Sequence, residues 1–160
     1  CLVPEKRREL TTEGGLDVIA AQAYLTDYIK PLKSAGCLVS LFIDPNAAQL
    51  DASLAAGATA VELHTGTYCD SPEGAQRRHE LIRIKEAALY GLKLGLEVRA
   101  GHGLSFDNVA PIAMINEVVE LNIGHFLIGE AIFSGLDSAI RRMRALMDRA
   151  RADALGERSA

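Results

Sequence analysis

The stretch Leu38-Val39-Ser40-Leu41-Phe42-Ile43-Asp44-Pro45-Asn46, answered further on by Ala60-Val61-Glu62-Leu63-His64-Thr65, decides the fold. Residues 38–44 and 60–65 are short and almost continuously apolar, as parallel strands covered on both faces are. Between them, Asp44-Pro45-Asn46 sets a capping side chain next to a proline suited to a first helical turn. Residues 46–56 then read as a helix, and Gly57 closes it as a left-handed cap would. The result is a strand–helix–strand unit, whose two strands run parallel through a right-handed crossover.

The same pattern repeats outward in both directions. Further strands are predicted at residues 1–3, 96–101 and 125–129, and further helices near 16–35, 73–93, 106–121 and 135–153. Ser71-Pro72-Glu73 marks a helix start, and Gly36 and Gly95 mark helix ends. The last helix carries Ile140, Met143, Leu146 and Met147 at helical spacing with arginines on its other side, and fades into a polar tail at 156–160 expected to fray. Strand then helix, repeated along the chain, means an α/β protein with a parallel sheet. Two architectures fit: an open doubly wound sheet, or part of a closed eightfold barrel, which takes about 250 residues when complete. No glycine-rich dinucleotide fingerprint follows any strand, which weakens the first. The chain opens on Cys1-Leu2-Val3, a strand already under way, so an upstream segment is expected.

Composition narrows the partners. At 160 residues the chain suffices for one domain, here residues 1–160. A hydrophobic fraction of 49% beside 24% charged residues is that of an ordinary globular protein. The net charge of −4 draws the chain to neither nucleic acid nor an anionic membrane. No apolar run approaches the ~20 residues of a membrane helix, and no signal peptide opens the chain. Cys1, Cys37 and Cys69 form no CxxC pair and read as reduced thiols of a cytoplasmic protein.

In either architecture chemistry gathers at the C-terminal strand ends. Gly101-His102-Gly103 places an imidazole that titrates near neutral pH between two residues allowing a sharp turn and close approach by substrate. It reads as a general acid or base, or as a histidine that merely caps a turn. Glu62 and His64, two apart on a strand, share a face. They are either catalytic or a structural pair inside the sheet, since a buried carboxylate is unfavourable unless paired or used. Asn122-Ile123-Gly124-His125, read as the end of a helix entering the last strand, suits a barrel phosphate site or an ordinary turn. Gly129-Glu130-Ala131 is taken as the following strand end. The loop from Pro4 to Gly15 is a solvated run or a lid that orders over a phosphorylated ligand. His79, among Arg77, Arg78 and Glu80, receives no role. Glu97 and Arg99 are open to either face of their strand.

Several strings are recognisable together. Cys1-Leu2-Val3-Pro4-Glu5-Lys6-Arg7 with Thr11-Thr12-Glu13-Gly14-Gly15, Val39–Asp44 as Val39-Ser40-Leu41-Phe42-Ile43-Asp44, Glu62-Leu63-His64-Thr65-Gly66, Ala100-Gly101-His102-Gly103-Leu104 and Glu120-Leu121-Asn122-Ile123-Gly124-His125 occur in one order. In that order they resemble the pyridoxine 5'-phosphate synthase family from its fourth strand onward, up to about residue 152. The resemblance implies a (β/α)8 TIM barrel of which this chain carries about five units, strands four to eight. It implies a transferase of vitamin B6 biosynthesis that condenses 3-amino-2-oxopropyl phosphate with 1-deoxy-D-xylulose 5-phosphate, giving pyridoxine 5'-phosphate, phosphate and water. By the same resemblance His102 is a proton donor and Glu62 stabilises a transition state. Thr11 contacts the deoxyxylulose phosphate, while Gly103, Gly124 and His125 bind the aminoketone phosphate. It further implies a homo-oligomer and neither metal nor organic cofactor. The family's first three strands, with another catalytic histidine and a catalytic glutamate, have no counterpart here. Alternatives are another phosphate-binding barrel aldolase or synthase, or an inactive half-barrel assembly module. A Schiff-base aldolase needs a strand-end lysine, and Lys6 already lies in a loop.

Overall fold

The computed structural model describes residues 1–5, 11 and 14–157. In chain order the elements are α1 (Val18–Ser34), β1 (Ser40–Ile43), α2 (Ala47–Ala55), β2 (Ala60–His64), α3 (Gly66–Asp70), α4 (Ala75–Lys93), β3 (Glu97–Gly101), α5 (Val109–Ala113), β4 (Val118–Asn122), α6 (His125–Ser134) and α7 (Leu136–Glu157). Most of the proposed lid over 4–15, and the end of the polar tail, lie outside the described residues.

The four strands form one parallel sheet in the order β1-β2-β3-β4. A parallel bridge from Leu2 to Leu41 adds the start of the chain beyond β1, where a strand over 1–3 is expected. Each strand neighbours its successor, so the sheet has no topological switch point. With crossovers all of one hand, consecutive order lays every helix on the same face. Indeed α1 packs on α2, and α2 on α4. The chain is thus an α/β protein wound in one direction, as a barrel wall is.

The core lies between sheet and helices. Leu41 and Ile43 of β1, Val61 and Leu63 of β2, and Val98 and Ala100 of β3 are buried against Leu50 of α2 and Ile84 of α4. Complete burial of one such aliphatic side chain stabilises by about 1.5–3 kcal/mol. The intervening residues, Phe42, Glu62, His64, Arg99 and Gly101, therefore face away from the helices. Glu97 and Arg99, open to either side in the sequence, share that inner face, where Arg99 pairs with Glu97 at 2.6 Å and with Glu120 at 3.3 Å.

Two predicted elements need correction. Residues 125–129 form no strand: they open helix α6, none of whose residues is buried. An apolar run alone does not separate a strand from a helix. The last strand is β4, inside the span 106–121 read as a helix, of which only Val109–Ala113 is helical. The β-branched pair Val118-Val119 favours the extended state, and Arg151 of α7 fixes its start by donating to the carbonyls of Ile115 and Val118. Gly129-Glu130-Ala131 consequently sits within α6 and not at a strand end. Cap positions move too. Asn46 rather than Asp44 caps α2, accepting from the Ala48 N–H at 2.8 Å, while Asp44 accepts from the Gly15 N–H at 2.9 Å. Ser71 bonds back to the Thr67 carbonyl, and α4 starts after Gly74. On α7 the buried stripe is Ala139, Met143, Ala150 and Ala154, with Ile140 exposed.

Candidate active site

The C-terminal ends of β2, β3 and β4 meet at one cavity of about 660 Å³. Glu62, His102, Gly103, Gly124 and His125 all line it, together with Asn122. Five of the six residues singled out in the sequence thus share one wall. Thr11 is set back from it. Its hydroxyl accepts from the Gly14 N–H at 3.2 Å, and Gly14 is the residue that reaches the cavity.

Register explains the convergence. Glu62 stands opposite Arg99, and His64 opposite Gly101, which in turn faces Asn122. The Glu62 side chain leans toward the strand end, where its Oε2 accepts from Asn122 Nδ2 at 2.8 Å and from the Cys1 thiol at 3.5 Å. A Cβ on Gly101 would fall 2.4 Å from Glu62 Oε1, so only glycine leaves room for this carboxyl. Burial pushes the Glu62 carboxyl above its ordinary value, and Glu120 adds to this. The amide of Asn122 opposes it, as does Arg99.

His102 is held in an unusual backbone. Its φ of 81° makes it the one non-glycine residue with positive φ among the described residues. Such a conformation costs about 1–2 kcal/mol and persists where neighbours enforce it. Here the neighbour is Thr65, fully buried, whose hydroxyl lies 2.6 Å from the His102 carbonyl and 2.8 Å from that of Gly101. Beyond the turn, Asn108 accepts from the Ser105 N–H at 2.7 Å and donates to the Gly103 carbonyl at 3.2 Å. The imidazole stacks on that of His64, centroids 4.8 Å apart and rings inclined by 30°. Gly66 permits the stack, because a Cβ there would lie 2.5 Å from His64 Cε1. A second cavity of about 470 Å³, lined by His64, Gly66, Thr67 and Ser71, meets the first at His102, Gly14 and Phe42.

The third wall is the turn from β4 into α6. The sequence reading had this direction reversed, and the observed one is better suited to an anion. Gly124 is the N-cap of a ten-residue helix whose first turn receives no side-chain cap, so its N–H groups and dipole favour negative charge at the cavity rim. Phe126 packs edge-on to Phe106 at 4.8 Å, and the Arg142 guanidinium covers Phe106 at 4.1 Å, bracing this turn against the loop after β3. Among the described residues no three His, Cys, Asp or Glu side chains form a metal-binding group, and no helix is long and apolar enough to cross a membrane.

Thr65, Asn122 and Cys69 were missed as site residues. The first two lie inside quoted strand-end strings; once β4 is known, period-2 alternation puts Asn122 on the face of Glu120, and register then sets it beside Gly101. Cys69 packs under the His102 turn, its thiol 3.6 Å from the His102 carbonyl, and burial pushes that thiol up to about 11. It therefore stays protonated and unreactive at neutral pH. Alkylation at pH 8 is expected to modify the exposed Cys37 well before Cys69, as peptide mass mapping over time would show. Equal labelling rates would contradict the half-buried placement of Cys69 under the His102 turn.

Comparison with known proteins completes the picture. The chain is 57% identical over 150 residues to a pyridoxine 5'-phosphate synthase of Rhodospirillum rubrum, covering 94% of this chain and 60% of that one. It is 57% identical over 155 residues to one from Roseobacter denitrificans (95% and 62%) and 55% over 156 residues to one from Caulobacter vibrioides (96% and 61%). The chain thus spans about three fifths of the length of these curated relatives. The family model described as pyridoxal phosphate biosynthesis protein PdxJ matches residues 1–149. With that match over nearly its whole length, and those relatives, the chain belongs to the PdxJ family.

Proposed function

We propose that this chain forms the strand-four to strand-eight part of a (β/α)8 barrel, a single domain over 1–160. Its activity in this reading is that of pyridoxine 5'-phosphate synthase. The substrates are 3-amino-2-oxopropyl phosphate and 1-deoxy-D-xylulose 5-phosphate, and the products pyridoxine 5'-phosphate, phosphate and water. The observation that carries the reading is the single cavity where Glu62, His102, Gly103, Gly124 and His125 meet at consecutive parallel strand ends. The names borne by the relatives support it. Consecutive strand order favours a barrel over a doubly wound sheet.

Imine formation, dehydration and ring closure each move protons between atoms held close together, which demands several acid–base groups around fixed phosphates. In this scheme His102 donates a proton to the departing oxygen. Glu62, whose carboxyl is shifted upward by burial, helps stabilise a transition state. Gly103, Gly124 and His125 hold the aminoketone phosphate, and Thr11 contacts the deoxyxylulose phosphate. The reading draws on no metal or organic cofactor. It includes a cytoplasmic homo-oligomer acting on small phosphorylated substrates, with no nucleic-acid or membrane partner. Its test is formation of pyridoxine 5'-phosphate from the two substrates by the full chain. Absence of product with either substrate varied would refute it.

Phosphate or sulfate is expected to bind beside Gly103 and Gly124 at the start of α6. A structure with the aminoketone phosphate bound would check this. A phosphate lodged elsewhere, with this rim filled by side chains, would overturn the assignment.

A further inference from the structure

Glu62, Arg99 and Glu120 lie in one register row of the inner sheet face, but they are not paired alike. Arg99 spends its donors on carboxylates: Nε and Nη2 reach Glu97 Oε1 at 2.8 and 2.6 Å, and Nη1 lies 3.3 Å from Glu120. Glu62 stands directly opposite Arg99 in register, yet its side chain leans past it to accept from the neutral amide of Asn122 and the thiol of Cys1. A guanidinium fork on Glu62 would lock it as a carboxylate, whereas a single neutral amide orients it and leaves it able to take and release a proton. Asn122 lies opposite Gly101, the position where a Cβ would collide with Glu62 Oε1. The carboxyl is thus fixed at one oxygen by the amide and admitted at the other by the missing side chain.

We propose that Asn122 is a positioning residue that aims the Glu62 carboxyl into the cavity, while Glu97 and Glu120 hold Arg99 away from it. The inference rests on the reading of Glu62 and of the reaction given above. The charged and titratable groups around Glu62 are Arg99 and Glu97 of β3, Glu120 of β4, the Cys1 thiol, and the imidazoles of His102 and His125, which line the same cavity.

Asn122→Leu keeps a similar side-chain volume and removes the donor without adding a charge beside Glu62, so it isolates the hydrogen bond. In the full chain it is expected to lower kcat about 10- to 100-fold with KM for both substrates within about threefold, the signature of a misaimed group rather than lost binding. The Glu62 carboxyl, followed by carbon NMR, is expected to titrate at higher pH than in the parent, since the bond from Asn122 favours the charged form. In a Glu62→Gln background the same substitution should change kcat less than about twofold, because coupled residues are not additive. An unmoved Glu62 midpoint, or a full additional loss in the Glu62→Gln background, overturns the positioning role. If the parent makes no product, the reaction reading falls by itself, and the Glu62 midpoint in Asn122→Leu still decides whether Asn122 holds Glu62.

Discussion

His102→Asn is expected to lower turnover about 10²- to 10⁴-fold while both substrates still bind, the usual consequence of removing a general acid. The substitution suits the site for a backbone reason. At φ 81° few side chains are tolerated, and asparagine is among the most readily accepted after glycine. The turn clamped by Thr65 should therefore survive, and the loss can be assigned to the imidazole. Asparagine offers a hydrogen-bonding group of similar reach but no proton at neutral pH. The measurement is turnover and substrate affinity on the same folded sample, with stability followed by denaturant. A histidine that only shaped the turn would give lower stability and weaker binding with near-normal turnover. Turnover within a few-fold of the parent would pass the role to His64, stacked on His102, or to His125 on the same cavity.

The strained backbone bears on mechanism as well as on mutability. A left-handed histidine between Gly101 and Gly103 turns the chain abruptly at the strand end, while Thr65, from the neighbouring strand end, secures it through two carbonyls. Precision of this kind limits the freedom of the imidazole before substrate arrives, and a proton donor placed in advance avoids reorganisation during the reaction. The stack with His64 limits the ring on its other side.

How much of this was legible in the sequence depends on the scale of the signal. The unit around residues 38–65 reads correctly because its strands are continuous apolar runs and its helix is bounded by Asn46 and Gly57. Glu62 and His64 fall on one face by alternation alone, and Gly101-His102-Gly103 betrays a turn by composition. The end of the chain misleads for physical reasons. His125 to Gly129 is apolar because it opens a helix with an exposed apolar surface, while Val118–Asn122 mixes Val, Glu, Leu and Asn, with both Val119 and Glu120 exposed, and so lacks the profile of an interior strand. Its identity comes from pairing with β3, a long-range contact that no local window contains. The facing of Arg99 is likewise a matter of register: salt bridges to Glu97 and Glu120 reveal an inner polar layer that composition does not.

Gly101→Ala is expected to damage both the fold and the site with a single methyl group. The added Cβ would meet Glu62 Oε1 at 2.4 Å, the Asn122 carbonyl oxygen at 2.8 Å and Asn122 Cβ at 3.1 Å. The first contact can be relieved by rotating Glu62 away, but the second involves the backbone of β4, so the β3–β4 pairing must also give. Overpacking of a close-packed site costs about 1–3 kcal/mol. For a domain of this size each kcal/mol lowers Tm by about 2–4 °C. The functional effect is expected to be larger than the loss of stability explains, because the carboxyl that rotates away is the one aimed by Asn122, and a displacement of about 1 Å can cost 10²-fold in rate. Thermal unfolding and turnover per folded molecule, measured below the lowered Tm, separate the two contributions. A drop in Tm with unchanged turnover would mean that the Glu62 carboxyl does not act from its place over Gly101. Lost turnover at parental Tm would mean that β4 yields without strain and that Glu62 alone absorbs the methyl group.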